Sequence, residues 1–480
     1  MIGAVESTKE KILNADAYSL AAEIKNGNLS SFEITQTYIK HIQKHNPSIN
    51  AVVEDRYIKA LEEAKKYDRL VKENQFIGPL HGVPISIKES IHVQGMKTTG
   101  GLINRSDLIS KTDAEVVRRL KKAGAIILAK TNTPILCFCQ ETDNKLYGRT
   151  NNPWNLERTA GGSSGGEAAL LSIGGAAAGL GSDIGGSIRF PSHFNGVIGF
   201  KPSKYHVSQT GHYPPSVEPL QKRMMSIGPM GKSVRDMQLL YRVIAQQTHS
   251  PKKLQDYTIE FLPDKPIFPL SEQTQKMYKN VKNTLSSYTI NEAIPPYFED
   301  SALLWQEIMS IDGGKSIQRK AFSSDKPNIV KEYIKEKTTG NSAYHHYFTW
   351  ALIGAKLFKP SKQRKQEINK IINDGDKTIN FYLKNRILIL PVYHQGALKH
   401  GEVYKDIFSI RKTYKTYLPY IAYANVWGLP SLTIPVGKDE NDMPVSLQVI
   451  SRSDNEAALF QLGEILEENF RGYIRCTHFD

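Results

Sequence analysis

The stretch Gly181-Ser182-Asp183-Ile184-Gly185-Gly186-Ser187-Ile188-Arg189 follows a second glycine-serine cluster, Gly161-Gly162-Ser163-Ser164-Gly165-Gly166. Between them the residues read as a helix from Glu167 to about Ser172 and a strand near Ala176–Leu180. A helix, a strand and then a glycine-rich loop is the local grammar of an α/β protein. The glycines let successive backbone N–H groups point into one concavity, which is what stabilises a developing oxyanion. Ser187, directly after two of them, is placed to attack a carbonyl whose oxygen lies among those N–H groups. Neither cluster cradles phosphate, because a P-loop needs Lys after its last glycine. Gly231-Lys232-Ser233 has that ending, but Ser226 stands where the leading glycine belongs. A dinucleotide fingerprint is equally unsupported.

A serine hydroxyl needs a base before it becomes a nucleophile. His193 lies near in sequence, and distant histidines such as His81 also qualify, since triads are assembled in space. The other route is a lysine kept neutral by burial. Lys88, at the end of the apolar run Val83-Pro84-Ile85-Ser86-Ile87, is the best placed. Lysines at strand ends are ordinarily exposed, so the residues alone leave the choice open.

Working outward, the first 75 or so residues read as helices. Ser30-Ser31-Phe32-Glu33 has capping-box spacing, and Asn46-Pro47 is expected to close the helix it opens. A second helical pattern surrounds Ile58, Leu61 and Leu70. Sheet texture then begins: a strand over 83–88, a helix over 115–123 and a buried strand over 125–129. It returns near the end, with strands over 387–392, 432–436 and 445–450 and a helix over about 456–468. The expectation is one α/β domain over 1–480, a single large mixed β-sheet covered by helices on both faces. Its core would be about 76–245 and 385–480, interrupted by a helical, basic insertion at about 250–384.

These residues resemble the amidase-signature family. The clusters at 161–166 and 181–189, with Phe190-Pro191-Ser192, are similar to its signature segment. His81-Gly82-Val83-Pro84 leading to Lys88 is similar to its lysine strand, and Ala129–Pro134 and Gly428–Ser431 are further family-like stretches. The resemblance implies Ser187 as nucleophile, Ser163 on a cis peptide as proton relay, and Lys88 as base. It implies an oxyanion hole from the N–H groups of Ile184, Gly185, Gly186 and Ser187. Ser164, Asp183 and Arg189 match positions that orient the loop, and Cys137, Phe138 and Cys139 match a segment lining the substrate pocket. His193 would be structural. No cofactor or metal is implied, and two thiols without further ligands lack zinc spacing.

Gly166-Glu167, Asp183-Ile184, Tyr147–Pro153 and Phe194-Asn195-Gly196 lean toward the fatty-acid amide hydrolase branch. A serine amidase for hydrophobic amides is therefore expected, with two alternatives kept. One is an amidase for small, aryl, cyclic or oligomeric amides; the other is the glutaminase A subunit of a tRNA-dependent amidotransferase.

Three cysteines in 480 residues exclude a disulfide framework and fit a reducing cytoplasm. Met1–Lys11 has no apolar core of a leader, and the N-terminal membrane helix of animal fatty-acid enzymes is not read here. A cytoplasmic protein, at most peripheral to a membrane, is the expectation. Net charge is +14, with 16 Lys/Arg against 7 Asp/Glu over 311–390. Such a field suits nucleic acid or anionic lipid in principle, but a solvated surface is the default. The apolar run 345–358, followed by Lys359, Lys362, Arg364 and Lys365, reads as a buried helix or as a cap resting on an anionic membrane. The partners expected are a small-molecule amide, loose membrane-surface contact and a homodimer, with no nucleic acid.

Overall fold

Alternation within single strands shows how the chain is layered. Ile387 and Ile389 enter one apolar core together with Ile85, Ile87, Leu432, Ile434, Leu447 and Val449. Leu388 and Leu390 enter a second core with Phe190, Phe194 and Ile450. Successive side chains of a strand point to opposite faces, so the sheet is covered on both sides. The computed structural model describes residues 7–246, 253–263, 269–322, 327–407 and 414–478. Met1–Glu6, read above for a leader, lie outside the described residues.

The described strands are β1 (Val52–Asp55), β2 (Pro84–Lys88), β3 (Ile126–Thr131), β4 (Asn151–Asn152), β5 (Asn155–Thr159), β6 (Ala178–Asp183), β7 (Ile198–Lys201), β8 (Ser226–Gly231), β9 (Thr258–Phe261), β10 (Ile290–Glu292), β11 (Arg386–Pro391), β12 (Ser431–Lys438) and β13 (Pro444–Ile450). β4 and β5 form a hairpin, and the others make one 11-stranded sheet in the order β1-β3-β2-β6-β8-β7-β12-β13-β11-β9-β10. β3, β2 and β6 run parallel, whereas β8, β7, β12, β13 and β11 pair antiparallel in turn. The sheet is mixed, as expected. The two glycine-serine clusters and the lysine strand converge at the carboxyl ends of β2 and β6, where ligands bind in open α/β sheets.

Several expectations change. The helix opened by Ser30, whose hydroxyl accepts from Glu33 N–H at 2.9 Å, runs through Pro47 to Ile49. Pro47 falls in the last turn, and the helix closes instead at Asn50, in the left-handed region (φ 49°), while Asn46 caps the N–H groups of Ala51 and Val52 at 2.8 Å. The strand expected near 176–180 lies at Ala178–Asp183, since Gly179 and Gly181 carry no β-propensity signal. The segment expected as a helical insertion opens with β9 and β10, which extend the sheet beside β11. Among the described residues no helix is long and apolar enough to cross a membrane.

Candidate active site

Strand periodicity explains why Lys88 is inside. Ile85 and Ile87 fill the core, so Ser86 and Lys88 point the other way, under the helix Gly165–Ser172. Ser86 and Thr131 hydroxyls donate to the carboxylate of Glu167, the latter at 2.7 Å. Burial raises the Glu167 carboxyl to about 7. Lys88 itself is fully buried, and burial lowers its amine below the ordinary lysine value, opposed by Cys137, Asp183 and Glu167. Its Nζ lies 2.7 Å from Ser163 Oγ and 3.0 Å from Ser182 Oγ. Ser163 follows a cis peptide bond, Gly162–Ser163. Gly162 is needed there, because a Cβ would lie 2.6 Å from the Cys139 carbonyl oxygen.

Ser187 closes the loop that leaves β6. Four carbonyls pin that loop: Ile184 O accepts from Trp305 Nε1 at 2.8 Å, Gly185 O from Gln140 Nε2 at 3.0 Å, Gly186 O from Phe190 N at 2.7 Å and Ser187 O from Ser164 N at 3.1 Å. In a trans peptide the carbonyl and the following N–H point in opposite directions. Anchoring Ile184 O and Gly186 O outward therefore aims the N–H groups of Gly185 and Ser187 the other way. Among the described residues the N–H groups of Ile184, Gly185 and Ser187 have no acceptor. Gly186 differs from the sequence expectation: its N–H donates to Asp183 Oδ1 at 2.8 Å, so it serves the loop rather than an incoming oxygen.

Asp183 also accepts from Ile188 N at 3.1 Å, Asn425 Nδ2 at 2.8 Å and Arg189 Nε at 3.1 Å. Burial opposes its charge, yet Arg189 above all, with Lys201 and Asn425, holds the carboxyl well below the carboxylate range. Arg189 is saturated in turn by Ile421 O and Gln448 Oε1, each at 3.0 Å, and by Asn425. Ser164 Oγ accepts from Ser182 N at 3.3 Å. Asp183, Arg189 and Ser164 thus hold the loop at both ends.

Ser187, Cys137, Phe138 and Cys139 line one cavity with His212 and Trp305. It continues along Trp350, Ile353 and Leu357, and Leu357 is 66% exposed, so the cavity joins the buried serine to the surface. The helix His346–Leu357 buries Phe348 and Leu352 and turns Trp350 and Ile353 to this cavity. Leu136 and Cys137 both take left-handed backbone (φ 51° and 61°), a strained pair for residues with side chains. Burial alone would push the Cys137 thiol up, but Lys88 and His212 beside it, in their charged forms, bring it down to about 6.

The histidines raised by the sequence do not reach the serine. His193 accepts from Ser446 N at 2.9 Å and donates to Gln395 O at 2.8 Å, and His81 is held by Ile77 N and Tyr67 O at 3.1 Å each. Sequence reasoning missed Ser182, His212, Gln140, Trp305 and Asn425. Ser182 lay inside the quoted stretch; the other four carry no spacing signal. No group of three or more His, Cys, Asp or Glu capable of holding a metal occurs among the described residues.

A family model described as Amidase matches residues 33–460. The chain is 34% identical over 493 residues to fatty-acid amide hydrolase 2-B of Danio rerio, covering 96% of this chain and 91% of that protein. It is 31% identical over 501 residues to fatty-acid amide hydrolase 2 of Homo sapiens, covering 97% and 91%. A solved fatty acid amide hydrolase superposes with a TM-score of 0.79 at 23% identity, covering 97% of this chain and 86% of that one. The chain belongs to the amidase-signature family and is an amide-hydrolysing enzyme.

Proposed function

We propose that this enzyme hydrolyses amides of long apolar carboxylic acids to the acid and an amine or ammonia, through an acyl-enzyme on Ser187. The carrying observation is the cavity, which runs from Ser187 between Phe138 and Trp305 to Ile353 and Leu357. Neutral Lys88 takes a proton from Ser187 through Ser163, 2.7 Å away. The tetrahedral oxygen is held by the N–H groups left without acceptors at Ile184, Gly185 and Ser187. The proton returns by the same relay to the leaving nitrogen, which amides need because amide anions leave badly. Water then releases the acid.

The test is kcat/KM on acyl p-nitroanilides of increasing length. Each methylene entering the cavity should add up to about 0.8 kcal/mol, roughly fourfold in kcat/KM. A steady rise over many carbons supports the reading. An early maximum followed by decline would favour small, aryl or cyclic amides. No turnover, with glutaminase activity dependent on added partner subunits, would favour the amidotransferase subunit.

A further inference from the structure

His212 lies outside the residues assigned so far, yet it is buried and lines the same cavity as Ser187. Its Nδ1 is 3.1 Å from Pro214 O, and a carbonyl oxygen can only accept, so Nδ1 carries the hydrogen. In the neutral ring, Nε2 is then an acceptor. It lies 2.9 Å from Ser182 Oγ and 3.3 Å from Ser90 Oγ. Ser182, the nearer of the two hydroxyls, donates its only hydrogen to Nε2, which leaves Ser182 Oγ as an acceptor toward Lys88 Nζ at 3.0 Å. A neutral amine has two hydrogens and one lone pair. With one N–H committed to Ser182 and the other to Cys137, the lone pair is left to face Ser163 Oγ at 2.7 Å.

We infer that His212 is a positioning residue, acting through Ser182 to point the lone pair of Lys88 at the Ser163 hydroxyl. The inference rests on the reading of Lys88 as base. Without an acceptor at Nε2, the Ser182 hydroxyl turns and donates to the Lys88 amine, occupying the electron pair that must receive the proton. A hydrogen bond to the neutral amine also disfavours its protonation. The groups facing this chain are Cys137, Asp183 and Glu167 around Lys88, and Cys137 and His92 around His212.

The experiment measures fluorophosphonate labelling of Ser187 and amide turnover across pH in wild type, H212L, H212Q, S182A and H212L/S182A. Labelling reports activation of the serine whichever amide is the substrate. H212L is expected to lose at least tenfold in kcat and labelling rate, with KM little changed and the acidic limb displaced to lower pH. H212Q supplies an acceptor oxygen near the Nε2 position and should recover most of that loss. The double variant should be faster than H212L, because the misdirected hydroxyl has been removed. A merely structural His212 would leave the double variant no faster than H212L and the acidic limb in place, and either result overturns the inference. If H212L does not fold, H212Q decides alone: a tenfold loss in a folded H212Q overturns it. Wild type that labels but turns over no amide would count against the substrate reading and leave the positioning test readable.

Discussion

As the base proposed here, Lys88 can act only as the free amine, so kcat/KM should rise as pH rises through its titration. Burial lowers that titration, so the acidic limb should fall below the ordinary lysine value of 10.5. A negatively charged Cys137 favours the ammonium form. Cys137→Ala should therefore move the limb to lower pH, and a pH–rate profile showing it unmoved or raised would contradict this assignment. Lys88, Ser163 and Ser187, proposed above as a triad, stood out as candidates in the sequence because they are chemically distinctive and ordered along the chain. Ser182 and His212 did not. Their roles depend on hydrogen-bond direction between residues 30 apart in sequence, or 94 apart for Lys88 and Ser182, and no local spacing records that.

Among the elements, the loop after β6 is the most constrained, and its constraints come from distant parts of the chain. Trp305, in the helix Ser301–Met309, holds Ile184 O and so fixes the direction of the Gly185 N–H. Trp305→Phe keeps a ring in the cavity but removes the donor. It should lower kcat about tenfold, some 1.4 kcal/mol of transition-state stabilisation, with a smaller change in KM. A steady-state comparison that shows only KM changing would contradict this. Arg189→Leu leaves the Asp183 carboxylate buried without its cation, which should cost about 3–5 kcal/mol and be visible as a lowered denaturation midpoint. An unchanged midpoint would show that the pair is dispensable. Local patterns gave the helix starts and the apolar strands well. They gave the end at Pro47 badly, because proline is tolerated in this helix's last turn and the chain leaves the helix only at Asn50, beyond which Asn46 caps Ala51 and Val52. They also missed β9 and β10, short strands inside a polar stretch: β9 pairs with β11, about 125 residues further along, and β10 pairs only with β9 at the sheet edge.

For the whole molecule, the sheet carries Lys88 and the loops that hold Ser163 and Ser187, and the segment between β8 and β11 lines the cavity through Trp305, Trp350, Ile353 and Leu357. The signature segment therefore speaks for the amidase class, and on the proposed reading substrate preference is set by the less distinctive middle of the chain. We propose the exposed Leu357, beside Lys356 and Lys359, as the place for loose contact with an anionic bilayer. Co-sedimentation with vesicles containing anionic lipid, reversed by salt and absent with neutral vesicles, is the expected outcome; no pelleting with either would rule the contact out.

The central claim is that Ser187 carries the acyl group, and the same cavity holds a competing nucleophile in the Cys137 thiol. The most direct measurement is peptide mapping by mass spectrometry of enzyme quenched during turnover of a slow acyl amide. The acyl mass should appear on the peptide containing Ser187, with no acyl adduct in Ser187→Ala. Acyl mass on Cys137, or full turnover by Ser187→Ala, would contradict it.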